Sequence, residues 1–373
     1  MLRRALLGTL AALSVLFVGC AADRPDPTKL ETFEPKIAGR QVWSAKLDGK
    51  VDFPLGVAVR NGRFHVADGG GTVLALEAES GREVWRARAG AALSAGVGSD
   101  GRFASVVTRD NEVVTFDGGR ELWRKRVPSR VVTPPLVAGE RVFVMSVDRA
   151  VHAFDALDGR RLWTLQRAGD ALTLAQAGVL APYKNSLIVG QGVRLAAVDP
   201  LRGTLQWEVP LATPRGSNEV ERLADLIGPL MRVDDRLCAR AFQSAVGCVD
   251  ATKGALLWSR NTGGTDAVGA TADTVFGADA SDRITAWRAS NGEVLWQNEK
   301  LLYRGLGGAV AVGQVAVVFA DFQGQVHFLS QTDGSFLLRL PTDGSAAIGT
   351  PVLSGQTMLV VTRDGGLFAF RPV

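Results

Sequence analysis

Cysteine is scarce in this chain of 373 residues, with only Cys20, Cys238 and Cys248. There is no Cys-x-x-Cys and no adjacent pair, so zinc-ribbon and dithiol redox sites lack their residues. His-Glu-x-x-His and Gly-x-Ser-x-Gly are also missing, which removes the zincin and α/β-hydrolase motifs. Residues 96–101 (GVGSDG) match Gly-x-Gly-x-x-Gly literally. Strand-like runs flank them and no helix follows, so they read as a hairpin turn and not a dinucleotide loop. Net charge is +4, and Arg3 and Arg4 lie in a leader segment. The remainder is too weakly basic to argue for nucleic acid. The longest leader run, residues 5–18, is apolar for 14 residues, short of a membrane span.

What the chain has in abundance is repetition. Residues 72–86 (TVLALEAESGREVWR) carry an apolar run, polar turn residues, Gly81 and then Trp85. The Gly-x-x-x-Trp spacing recurs at Gly39/Trp43, Gly119/Trp123, Gly159/Trp163, Gly203/Trp207, Gly254/Trp258 and Gly292/Trp296. An eighth copy keeps Gly334 but has Leu338 in the Trp position. Successive positions lie 42, 38, 40, 44, 51, 38 and 42 residues apart. A fixed period near 40 marks a repeat architecture. Between Trp positions the chain reads as short runs rich in Val, Phe and Leu, split by Gly, Asp and Asn turns, for example 93–98, 103–108 and 112–116. Four strands at this period make one propeller blade.

The ends predict closure. The run 41–47 has no blade before it, and the runs 350–353, 357–362 and 366–370 have no Trp run after them. Together they make one blade and remove open sheet edges. The expected fold is all-β: an eight-bladed β-propeller of four-stranded antiparallel blades, closed by pairing the N-terminal strand with the C-terminal strands. His152 and His327 share one repeat position, seven before Gly159 and Gly334. They should stand on different blades in structural roles.

Residues 1–19 read as a signal peptide, with Arg3-Arg4 ahead of the apolar stretch. It ends in Val18-Gly19-Cys20, the pattern of a lipobox, which points to lipid on Cys20. Ala21 follows, favouring the outer membrane. Residues 20–38, polar and with Pro25, Pro27 and Pro35, read as a flexible tether, leaving 39–373 for the propeller. Cys238 and Cys248 sit at equal offsets from Gln243. Two readings stand: a cross-strand disulfide in an oxidising periplasm, or two small buried side chains where other repeats carry Ala.

Two connections break the rhythm, residues 166–178 and 211–226. Each joins the outer strand of one blade to the inner strand of the next, so both lie side by side on one face. Asn218 and Glu221 have capping-box spacing, which allows a short helix. Enlarged loops on a rigid scaffold are where binding concentrates.

The lipobox, the repeats and both connections resemble the BamB family, lipoprotein subunits of the outer-membrane β-barrel assembly machinery. Residues 219–225 (EVERLAD) are similar to the family's E-[IV]-[DE]-R-L-x-D, and Leu172-Thr173-Leu174 to its L-[ST]-L-R. Ala175 replaces the Arg, and Ile227 stands where a second Asp can occur. The resemblance implies a non-enzymatic scaffold without cofactor, binding the periplasmic domains of BamA beside the other assembly subunits. It implies Leu172, Leu174, Arg222 and Asp225 as partner-binding residues. The repeats are also of the pyrroloquinoline-quinone (PQQ) enzyme type, so a periplasmic quinoprotein dehydrogenase is an alternative. So is a lipid-anchored propeller with another envelope partner.

Overall fold

The computed structural model describes residues 25–53, 56–167, 174–213 and 223–372. They form eight four-stranded antiparallel sheets. Seven blades are continuous in sequence: I (58–88), II (98–126), III (136–165), IV (180–210), V (226–260), VI (269–298) and VII (310–341). Blade VIII combines Val352–Ser354, Thr357–Val361 and Gly366–Pro372 with the N-terminal strand Gly39–Lys46. The expected closure is what the chain does. First strands touch around the centre at seven of the eight blade junctions, that of blade VIII with blade I among them. Middle strands such as Phe103–Val107 and Ala316–Ala320 are buried on both faces. Fourth strands such as Arg120–Arg126 are exposed at both ends and covered only around their Trp, because they form the rim.

The first strands are shorter than the runs suggested. Residues 93–98 yield only the strand Gly98–Ser99 and an isolated bridge from Leu93 to Thr108. Crowding at the centre explains this. A Cβ on Gly98 would lie 1.9 Å from the Pro135 carbonyl oxygen of the next blade, a distance no side chain tolerates. The backbones meet directly and leave little length for pairing.

Gly-x-x-x-Trp works between blades, not within one. Trp123 in blade II lies under the turn of blade III that contains Gly159, and its Nε1–H donates to the Ala156 carbonyl at 2.9 Å. A Cβ on Gly159 would stand 2.5 Å from Trp123 Cδ2, and its φ of +70° is left-handed, so glycine is required twice over. Trp43/Gly81, Trp163/Gly203, Trp258/Gly292 and Trp296/Gly334 repeat the contact and the hydrogen bond. Each Trp also faces a small residue across the sheet, as Trp163 faces Ala153, with a bulge just beyond. The indole therefore fastens one blade to the next at every junction except that of blades VII and VIII, where Leu338 meets Gly39.

Residues 25–38 correct the expected flexible tether. The segment is packed on the rim of blade VII, where Lys36 N–H donates to the Leu337 carbonyl at 2.8 Å and Thr28 N–H to that of Leu302 at 3.0 Å. Phe33 stacks on Phe336 with centroids 5.3 Å apart. Leu30 and Ile37 are half-buried against neighbouring core clusters. Proline and polar residues dominate the composition, yet these three apolar side chains are enough to dock it. Cys238 and Cys248 are cross-strand partners in blade V, fully buried and bonded to each other. His65, His152 and His327 are buried in blades I, III and VII. Among the described residues there is no helix; Asn218 and Glu221 lie outside them.

Candidate partner interface

Strands alternate in direction, so the fourth-to-first connections share one face with the turns between second and third strands. On that face the connections after blades III and IV are adjacent. Asp225 joins them. One carboxylate oxygen accepts the Leu174 N–H at 3.0 Å, and the other lies 3.4 Å from Arg149 Nη2. Both side chains of the ion pair are less than one-quarter exposed, at 18% and 20%. The backbone continues the stitching: Gly228 N–H donates to the Ala177 carbonyl at 2.9 Å, and Gly178 bridges Ile227. Thr133 Oγ1 accepts the Gly178 N–H at 2.9 Å. The neighbouring connection, after blade V, is tied in as well. Phe242 N–H donates to the Asp225 carbonyl at 3.0 Å and Gln243 N–H to that of Gly264 at 2.9 Å.

Beneath the third connection lies Arg240, wholly buried. Its guanidinium donates to the carbonyls of Asp266 (2.7 Å), Thr262 (3.1 Å), Gly263 (2.8 Å) and Ala278 (2.8 Å). Burial lowers its pKa to about 10, so it stays charged near neutrality. A buried cation is tolerated because three of the carbonyls it meets are turned inward by the connection it holds and the fourth, of Ala278, comes from a strand of blade VI. The described residues of three adjacent connections are thus tied into one platform.

The structure brings Leu174 and Asp225 together. Leu172, Arg222 and Cys20 lie outside the described residues. Leu174 is half-buried, less open than a solvent-facing loop would make it, because Asp225 draws its backbone inward. Ile227 is buried, which accounts for an apolar residue there. Arg149 was not legible as a site residue. It holds the left-handed turn position (φ +64°) that other repeats give to Gly71, Asn111, Gly324 and Gly365. An arginine where repeats use Gly or Asn is the signal that could have found it.

The depression beside Leu174, lined by Thr133, Met145, Arg149 and Ile227, holds a cavity of about 50 Å³. That is far below the few hundred Å³ of a small-molecule site. A larger apolar cavity of about 570 Å³ lies at the ring seam between blades VII and VIII, where Leu338 replaces Trp. Among the described residues no cluster of three or more His, Cys, Asp and Glu is arranged to hold a metal.

A family model described as outer membrane protein assembly factor BamB matches residues 30–93 and 89–298. The chain is 35% identical to the factor of that name from Burkholderia pseudomallei, over 97% of this chain and 96% of that one. To the one from Bordetella pertussis it is 33% identical, over 98% and 95%. BamB from Moraxella catarrhalis superposes with a TM-score of 0.81 at 24% identity, covering 89% of this chain and 99% of that one. A quinohemoprotein alcohol dehydrogenase from Comamonas testosteroni reaches 0.69 at 13% identity over 90% and 76%, a likeness of fold alone. The chain belongs to the BamB family of outer membrane protein assembly factors.

Proposed function

We propose that the chain is a non-enzymatic scaffold of the outer-membrane protein assembly machinery. In this reading it is lipid-anchored through Cys20, faces the periplasm, and binds the periplasmic part of BamA through the platform of connections. Leu172 and Leu174 supply the apolar centre; Arg222 belongs to its polar rim. The observation that supports this best is the Asp225 carboxylate between Leu174 N–H and Arg149. It makes two enlarged loops one preorganised surface, which lowers the ordering cost of binding. The named function of the relatives supports the assembly role. The alcohol dehydrogenases lend no chemistry, because fold does not confer function.

The test is affinity capture of the full-length lipoprotein from detergent-solubilised envelopes. BamA and its companions should co-purify in stoichiometric amounts. Recovery of the chain free of BamA, at native levels of both, would overturn the proposal.

A further inference from the structure

The docked N-terminal segment fixes where the lipid must emerge. It starts beside Gly39 on the face of the third-to-fourth-strand turns. It crosses the rim antiparallel to the strand Phe336–Pro341 and ends at the connection between blades VI and VII. There the buried Arg304 donates to the Thr28 carbonyl at 3.1 Å and to Asp321 at 2.7 Å. Arg339 lies 5.1 Å over the Phe33 ring and donates to the Glu31 carbonyl at 2.9 Å. Lys300 pairs with Glu31 at 2.7 Å. Residue 25 therefore leaves on the same face as Leu174 and Asp225. From Cys20 to Pro25 the chain can span at most about 18 Å.

At that exit two large rings stand in solvent, Tyr303 at 38% and Phe322 at 39% exposure. Both are held there. Tyr303 has a left-handed φ of +59° and its N–H donates to the Ser281 carbonyl at 3.0 Å. Asp282 accepts the N–H groups of Gly305 (2.6 Å) and Leu306 (3.0 Å). Phe322 N–H donates to the Arg304 carbonyl at 3.1 Å. Arg304 beside Phe322 is buried in its pair with Asp321, so the rings and the exposed Lys300 are what this edge offers outward; a tyrosine at such an edge suits the membrane–water interface.

We infer that Tyr303 and Phe322 form a membrane-contact patch that, with the docked segment, turns the partner platform toward the outer membrane. This rests on the Cys20 anchor proposed above and adds an orientation to it. Lipid chains alone supply anchoring; the patch supplies direction. Both native cysteines of the propeller are bonded to each other, so a new thiol can be labelled selectively.

The experiment places an environment-sensitive fluorophore on Tyr303→Cys, Phe322→Cys or Thr332→Cys of the full-length lipoprotein in phospholipid vesicles carrying headgroup spin labels. Thr332 is exposed on the opposite face. Quenching at 303 and 322 should be at least about twice that at 332. The pair Leu30→Ala and Phe33→Ala, which frees the segment, should equalise the three. Vesicle association with equal quenching in the unaltered segment would overturn the orientation alone. Failure of the lipoprotein to associate at all would overturn the anchor and the orientation together.

Discussion

Asp225→Ala isolates the contact that makes two loops one surface. It removes the acceptor for Leu174 N–H and the partner of Arg149. A hydrogen bond to a charged group contributes about 1.5–3 kcal/mol, and a partly exposed ion pair less than about 1 kcal/mol. Because the loss falls on connections outside the blades, it should appear as local loosening. Hydrogen exchange followed by mass spectrometry should show faster exchange of the peptide containing Leu174. BamA binding should weaken roughly tenfold, or about 1.4 kcal/mol. Asp225→Asn keeps a neutral acceptor and should lose about half as much. Arg149→Met combined with Asp225→Ala should cost less than the sum, by about 0.5 kcal/mol or more, since both disturb one network. Unchanged exchange at Leu174 together with additive losses would refute the positioning role and make Asp225 a direct partner contact.

Three further outcomes follow from the fold. Gly159→Ala meets Trp123 at 2.5 Å in a left-handed conformation, whereas Gly62 (φ +69°) has open space; unfolding free energy should fall by roughly 2–4 kcal/mol for the first and about 1 kcal/mol for the second in denaturant titrations. Burial holds His65 at about 4 instead of 6.5. The unfolded chain then binds more protons between these values, and stability falls as pH drops through them. From pH 7.5 to 5 this amounts to roughly 2 kcal/mol, a Tm decrease of about 3 °C. His152 and His327 are lowered by burial too, and His65→Gln should flatten the slope, so an identical slope in that variant would count against the assignment. Peptide mapping without reductant should recover residues 238 and 248 joined; two alkylatable thiols would exclude the bond.

The repeat was legible because seven of the eight junctions use the same fastening: a Trp, a left-handed Gly and a small residue opposite. What the Trp does was not, since its partner is the Gly of the next repeat, about 40 residues on. Closure was legible from unmatched strands at the two ends. The docked segment was missed because Leu30, Phe33 and Ile37, although spaced i, i+3 and i+7, lie among Pro27 and Pro35 and form neither helix nor strand; only a neighbouring blade explains them. Of the interface, the positions of the loops could be read from spacing. Arg149 was legible only by aligning its turn with the Gly and Asn of other repeats; Arg240 could not be read, because its strand looks ordinary until the connection folds over it.

The central claim is that the connection face binds BamA, and the most direct measurement is a titration of the periplasmic domains of BamA with the double variant Leu172→Ala, Leu174→Ala. A few apolar side chains at an interface centre typically carry about 2 kcal/mol or more. The dissociation constant should rise at least about tenfold while the melting temperature stays that of the unaltered protein. An unchanged dissociation constant in a folded double variant would contradict the account.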